Sequence, residues 1–260
     1  MKKAIVLCLG MGITLFSSQL VFAEDGGAYT TDGTVTFMPS TDPTNPVDPT
    51  NPDPDKPVNP TNPDGTDPTP GTKGPLSIDF ASSFDFGLNK ISNKTQTYYA
   101  RAQKYKEEGL ITPNYVQISD NRGSNAGWTL TLKQNGQFKN ENTLNKELTG
   151  SEIKLTEPTV KSATVGVTSP TAQDEITLDP SGAESRVMQA VKDAGAGTWV
   201  DAFGTVETVT EKDADNKDVE AAITKAIALT VPGKTPKDAV SYTTTLTWTL
   251  TDVPGNEQGE

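Results

Sequence analysis

Between residues 242 and 251 a threonine stands at every second position, and the alternate positions hold Tyr242, Thr244, Leu246, Trp248 and Leu250. A repeat of two does not fit the 3.6-residue turn of a helix; it puts the two sets on opposite faces of an extended strand. Threonine suits a solvated β-surface, and Pro254 stops the run because proline cannot donate to a ladder. The pattern recurs at Trp128-Thr129-Leu130-Thr131-Leu132. Further short alternating runs lie at residues 76–80, 116–118, 153–155, 164–168 and 226–231, with turn signals at 120–123, 180–182 and 232–233. Many short strands with frequent turns predict an all-β fold, a single sandwich or barrel-like domain over residues 76–260. Residues 98–108 and 184–194 fit either a helical turn or a strand.

The N-terminus carries the pattern of an export signal. Lys2 and Lys3 precede an apolar run over residues 4–16, and Val21-Phe22-Ala23 offers small residues for cleavage, so that residues 1–23 are expected to be removed and Glu24 to begin the secreted chain. Ser17-Ser18-Gln19 interrupts the run, which argues against a spanning helix. The single cysteine, Cys8, sits inside the apolar run, and the chain has no histidine. The secreted chain would then have no disulfide, thiol catalyst, histidine base or histidine-bound zinc, and its fold must rest on its apolar core. A net charge of −12 excludes electrostatic attraction to nucleic acid and disfavours anionic lipid.

Two zones precede the domain. Residues 24–38 end in Gly33-Thr34-Val35-Thr36-Phe37-Met38, which alternates as one short strand. Residues 39–75 hold 12 of the chain's 19 prolines, mostly at every third position from Pro43 to Pro63. Three residues per turn is the repeat of polyproline II, so the stretch is expected to be a spacer reaching about 110 Å. Were the strand at 34–37 to return to the domain, the same stretch would instead lie over its surface.

Three patterns that suggest chemistry dissolve on inspection. Residues 213–220 resemble a calcium loop, but Lys217, Asp218 and Thr224 stand where an oxygen ligand, a glycine and a glutamate are required. Ser151-x-x-Lys154 and Ser119-Asp120-Asn121 match two marks of penicillin-recognising serine enzymes, but in reversed order, and Lys234-Thr235-Pro236 lacks the third motif's glycine. No pair of carboxylates is singled out for glycosidase chemistry. Neither a catalytic residue nor a metal or cofactor site is assigned.

Taken together, the two Trp-x-Leu segments carry more. Tyr242-x-x-x-Leu246-Thr247-Trp248-x-Leu250-x-x-x-Pro254 resembles, at every specified position, the distal signature of the WxL surface proteins of Gram-positive bacteria. Residues 116–130, with Asp120-Asn121-Arg122-Gly123 and Gly127-Trp128-Thr129-Leu130, resemble that family's other motif, and Gln134 to Phe138 continues it. Gly195-Ala196-Gly197-Thr198-Trp199-Val200 is also similar to the family. The resemblance implies a secreted, non-enzymatic protein held at the cell surface without a covalent sorting signal, through peptidoglycan or a membrane-anchored WxL-interacting protein. It also implies a route to adhesion through other WxL proteins or host matrix proteins. Residues 253–260 accordingly show no Leu-Pro-x-Thr-Gly motif, apolar tail or basic stop. The residues expected to form the binding strip, or to hold it in shape, are Trp128, Leu130, Tyr242, Leu246, Trp248 and Leu250. Aromatic faces of this kind stack on sugars or dock a partner domain, and the competing role is a sandwich core.

Overall fold

The computed structural model describes residues 28–254, and the expected signal peptide lies outside them. Among the described residues fifteen strands run in chain order: β1 (Leu76–Ala81), β2 (Gln96–Arg101), β3 (Gln103–Lys104), β4 (Ile111–Thr112) and β5 (Tyr115–Asp120). Then come β6 (Trp128–Gln134), β7 (Glu152–Thr156), β8 (Pro158–Lys161), β9 (Thr171–Ala172) and β10 (Glu175–Thr177). The last five are β11 (Ser185–Ala190), β12 (Gly197–Phe203), β13 (Val206–Lys212), β14 (Asp218–Val231) and β15 (Leu246–Thr251). Among the described residues there is no helix, in line with the expected all-β class.

Three antiparallel sheets enclose one core. The first has the order β1-β5-β12-β8, the second β10-β7-β14-β13 with β2 on the other side of β14, and the third β15-β6-β11-β9. The small pair β3-β4 stands apart. Each sheet sends alternate side chains inward, as the period of two requires. Val116, Ile118, Trp199 and Phe203 come from the first sheet, Ile153, Leu155, Ile227 and Leu229 from the second, and Trp128, Leu130, Leu132 and Met188 from the third. Strand β6 shows the alternation most cleanly, with Trp128, Leu130, Leu132 and Gln134 buried and the residues between them partly exposed.

The proline-rich stretch is not a free spacer. Val47 is 1% exposed and belongs to a second apolar cluster with Phe80, Tyr105, Tyr115, Val200 and Ala202, on the outer face of the first sheet. The stretch is fastened by Val58 N–H to Pro46 O (2.9 Å), Thr61 N–H to Lys104 O (2.9 Å), Lys106 N–H to Asn59 O (2.8 Å) and Thr72 N–H to Ile78 O (2.8 Å). The polyproline rod fails because aspartate side chains turn the chain between prolines. Asp48 Oδ1 accepts from Thr50 N–H (2.8 Å), Asp53 Oδ1 from Asp55 N–H (3.0 Å) and Asp64 Oδ1 from Thr66 N–H (3.0 Å). These Asx turns fold the stretch into a strap.

Two local expectations also give way, and one alternative left open is decided for a strand. Residues 28–40 contain no strand, so the alternation at 33–38 is not used in a ladder within this chain. Residues 164–168 form a bend, with Thr168 in an isolated bridge to Ala194. Residues 184–194, compatible with a helical turn, hold β11, because Val187, Met188 and Ala190 enter the core beside β6.

Candidate functional site

The two Trp-x-Leu copies lie on neighbouring strands of the third sheet, where Trp248 faces Leu132 across the ladder and Leu250 faces Leu130. Their environments differ. Strand β6 is flanked by β15 and β11, and Trp128 and Leu130 are 0% exposed. The Trp128 Nε1–H donates to Gly195 O at 3.0 Å, which satisfies the one polar atom of a buried indole. Gly195 closes over that ring at a φ of 72°. A Cβ there would stand 2.5 Å from Ala190 Cβ and 2.7 Å from Trp128 Nε1, so the Gly-Ala-Gly turn is a lid that only glycine fits. Trp128 and Leu130 are therefore core, with no surface to offer a ligand.

The distal copy is on an edge. Among the described residues strand β15 pairs with β6 alone, and Leu246, Trp248 and Leu250 are half-buried against the flank of the main core. The opposite, threonine face is exposed at Thr243, Thr245 and Thr247, and Asn135 Nδ2 donates to the hydroxyls of Thr245 (3.1 Å) and Thr247 (2.8 Å). Tyr242 is a clasp: its hydroxyl donates to Asn145 O (2.7 Å) and accepts from Asp238 N–H (2.9 Å). Asp238 in turn accepts from Thr143 Oγ1–H, Asn145 N–H and Asn145 Nδ2, and these hydrogen bonds hold its carboxyl below the usual range. Tyr242 thus joins the loops that precede β7 and β15. The structure brings Leu246, Trp248 and Leu250 together as one partly accessible, uncharged strip, with Leu132 and Leu130 of β6 beside it on the same face of the sheet.

The other motif residues are structural in this geometry. Arg122 makes a two-point contact to the buried Asp120, through Nε (2.9 Å) and an Nη (2.7 Å), and also donates to Gly127 O (2.7 Å). This pins the crossing from the first sheet to the third. Ser119 Oγ–H donates to Asp79 at 2.7 Å, and Lys154 pairs with Glu175 at 2.7 Å, so the two serine-enzyme matches sit on different sheets. The acidic run at 213–217 is a tight turn in which Asp213 Oδ1 accepts from the N–H groups of Asp215 and Lys217, both at 2.9 Å.

Two buried carboxyls were invisible to motif reading. Asp79 lies under the strap and accepts from Ser77, Gln117 and Ser119; Gln117 also accepts from Val47 N–H (2.8 Å) and donates to Asn45 O (3.0 Å). Burial outweighs those hydrogen bonds and raises the Asp79 pKa. Asp201, on β12 between the inward-facing Trp199 and Phe203, is 0% exposed, and neither carboxyl oxygen has a hydrogen-bond partner of normal geometry. Burial pushes its pKa up to about 7, only partly offset by the Thr159 amide. For Asp201 the one signal was an acidic residue at an inward position of a strand, whereas Asp79 stands where alternation with Ile78 assigns the outer face.

A family model described as "WxL domain surface cell wall-binding" matches residues 24–254. No curated protein and no solved structure matches the chain.

Proposed function

The chain belongs to the WxL family of surface cell wall-binding domains, and on that premise we propose that it is a secreted, non-enzymatic protein held non-covalently at the Gram-positive wall by its distal Trp-x-Leu strip. The receptor is peptidoglycan or a membrane-anchored WxL-interacting protein. One observation supports assigning the contact to Leu246, Trp248 and Leu250: of the two motif copies, only theirs reaches the surface, on an edge strand without a charged side chain. Trp128 and Leu130, on the neighbouring strand β6, then support the strip from the side. A contact of this kind rests on apolar area and hydrogen bonds, so raising the salt concentration should leave it intact.

The test is a pull-down of residues 24–260 against protein-stripped sacculi beside untreated walls, with Trp248→Ala run in parallel and its fold checked by circular dichroism. Binding to stripped sacculi identifies the polymer as receptor; binding only to untreated walls identifies a protein. A folded Trp248→Ala chain that binds as well as the parent removes the strip from the contact. Release of soluble sugar from purified wall would overturn the non-enzymatic reading.

A further inference from the structure

Natural sheets protect their edges, because a row of unpaired N–H and C=O groups pairs readily with another chain. Most edges here obey that rule among the described residues. Strand β8 carries Pro158 and Lys161, and β13 carries Glu207, Glu211 and Lys212. Strands β9 and β10 are two and three residues long. The outer side of β1 is occupied by the strap, where Thr72 N–H donates to Ile78 O and Ile78 N–H donates to Thr72 Oγ1 (2.9 Å). The end of β2 is closed by Arg101 N–H donating to Asp85 O at 2.7 Å.

Strand β15 has no such guard. It is six residues long, without charge or proline, and among the described residues it pairs on one side alone. Asn135 N–H donates to Thr245 O at 2.9 Å, so the backbone groups of Thr245, Thr247, Thr249 and Thr251 point at β6. By alternation, those of Leu246, Trp248 and Leu250 point to the open side. The chain also contains a strand-like sequence that lacks a ladder. Gly33-Thr34-Val35-Thr36-Phe37-Met38 is uncharged, alternates and is likewise six residues long, yet no residue from 28 to 40 lies in a strand. Its apolar side chains stand in water, with Val35 74%, Phe37 87% and Met38 82% exposed.

We propose that residues 33–38 of one copy add as a strand to the open edge of β15 in a second copy. The added strand satisfies the outward backbone groups of Leu246, Trp248 and Leu250. It lays Val35 and Phe37 beside the half-buried strip and sets Thr34 and Thr36 on the threonine face. Length and lack of charge match on the two sides, and the other edges are closed to it by proline, charge, shortness or cover. Donor and acceptor are different surfaces, so the contact is head-to-tail and builds assemblies in steps of one chain. Assembly of this kind needs no wall and is measured without it.

Residues 24–260 are followed by sedimentation over a range of concentrations. Species at multiples of the monomer mass are expected. Val35→Asp with Phe37→Asp should weaken association by at least about tenfold, and the urea midpoint at a dilution where the parent is monomeric should not move because both side chains are exposed there. A peptide of residues 33–39 in excess should dissociate the assemblies. A monomer at every concentration overturns the proposal, as does association that neither the double variant nor the peptide disturbs.

Discussion

Replacing Asp201 by Asn should flatten the pH dependence of this protein's stability. The carboxyl is fully buried between Trp199 and Phe203 without a hydrogen-bond partner of normal geometry, and its pKa rises from 3.8 to about 7. In the unfolded chain it ionises near its ordinary value, so between roughly pH 4 and 7 the folded state holds a proton that the unfolded state has released. The contribution is therefore fully present below the unfolded pKa, declines as pH rises, and is gone once pH passes the folded pKa. Three pKa units at 1.36 kcal/mol each bring the loss to about 4 kcal/mol across that window. Asparagine has nearly the same shape as the protonated acid and does not titrate. Urea denaturation monitored by tryptophan fluorescence, at intervals from pH 4 to 8, should show the variant's advantage over the parent growing with pH by about that amount. Asp79, whose pKa is also raised by burial, adds to the slope of both proteins and cancels in the difference. Parallel stability curves for parent and variant would show that Asp201 is not a buried neutral acid.

The same denaturation assay separates the two tryptophans. Trp128→Ala should cost about 3–5 kcal/mol, because it empties a closed site and removes a bond to Gly195 O, whereas the half-buried Trp248 should cost about 1–2 kcal/mol on the same change; the reverse order would refute the assignment of core and strip. Gln117→Ala removes the amide that holds Val47 N–H, Asn45 O and Asp79. A loss of about 1–3 kcal/mol is expected, with faster proteolytic cleavage within residues 43–72. Unchanged cleavage would mean that the strap does not depend on that clasp.

The strap shows where reading by composition stops. Twelve prolines without Leu, Ile or an aromatic residue point to an extended rod, and the reading fails on three aspartates whose side chains turn the backbone locally. It fails also on one valine, Val47, whose burial depends on a surface about seventy residues away. Strand β5 carried the complementary clue. Its inward residues Val116 and Ile118 were legible as core, while alternation put Gln117 on the opposite face with nothing in the sequence to cover it. All six residues are in fact buried, since the strap covers that second face. A polar residue that will be hydrogen-bonded under a lid has the same letter as one that will meet water. Asp201 illustrates the same limit from the other side, because its inward position could be read from alternation but its lack of a partner could not.

The strands themselves were legible where one face is dry, which is why residues 76–80, 128–132 and 226–231 correspond to β1, most of β6 and part of β14. What alternation cannot supply is sheet order. Trp128-Thr129-Leu130 and Trp248-Thr249-Leu250 carry the same local instruction: one face apolar, the other hydroxyl. Their different fates arise from neighbours chosen far along the chain, since β11 covers the second side of β6 while β15 pairs with β6 only. The same tripeptide is therefore a closed core element in one place and a partly open strip in the other. The residues just beyond each copy already mark the difference: β6 runs on into Leu132 and the buried Gln134, whereas β15 gives way to Val253, which is 62% exposed, and the strand-stopping Pro254. A strand that keeps its threonines on the wet face and leaves its edge without charge is built to be continued by something outside the monomer. That places both the wall contact and the copy-to-copy contact proposed above on the one element where the family's distal signature is written.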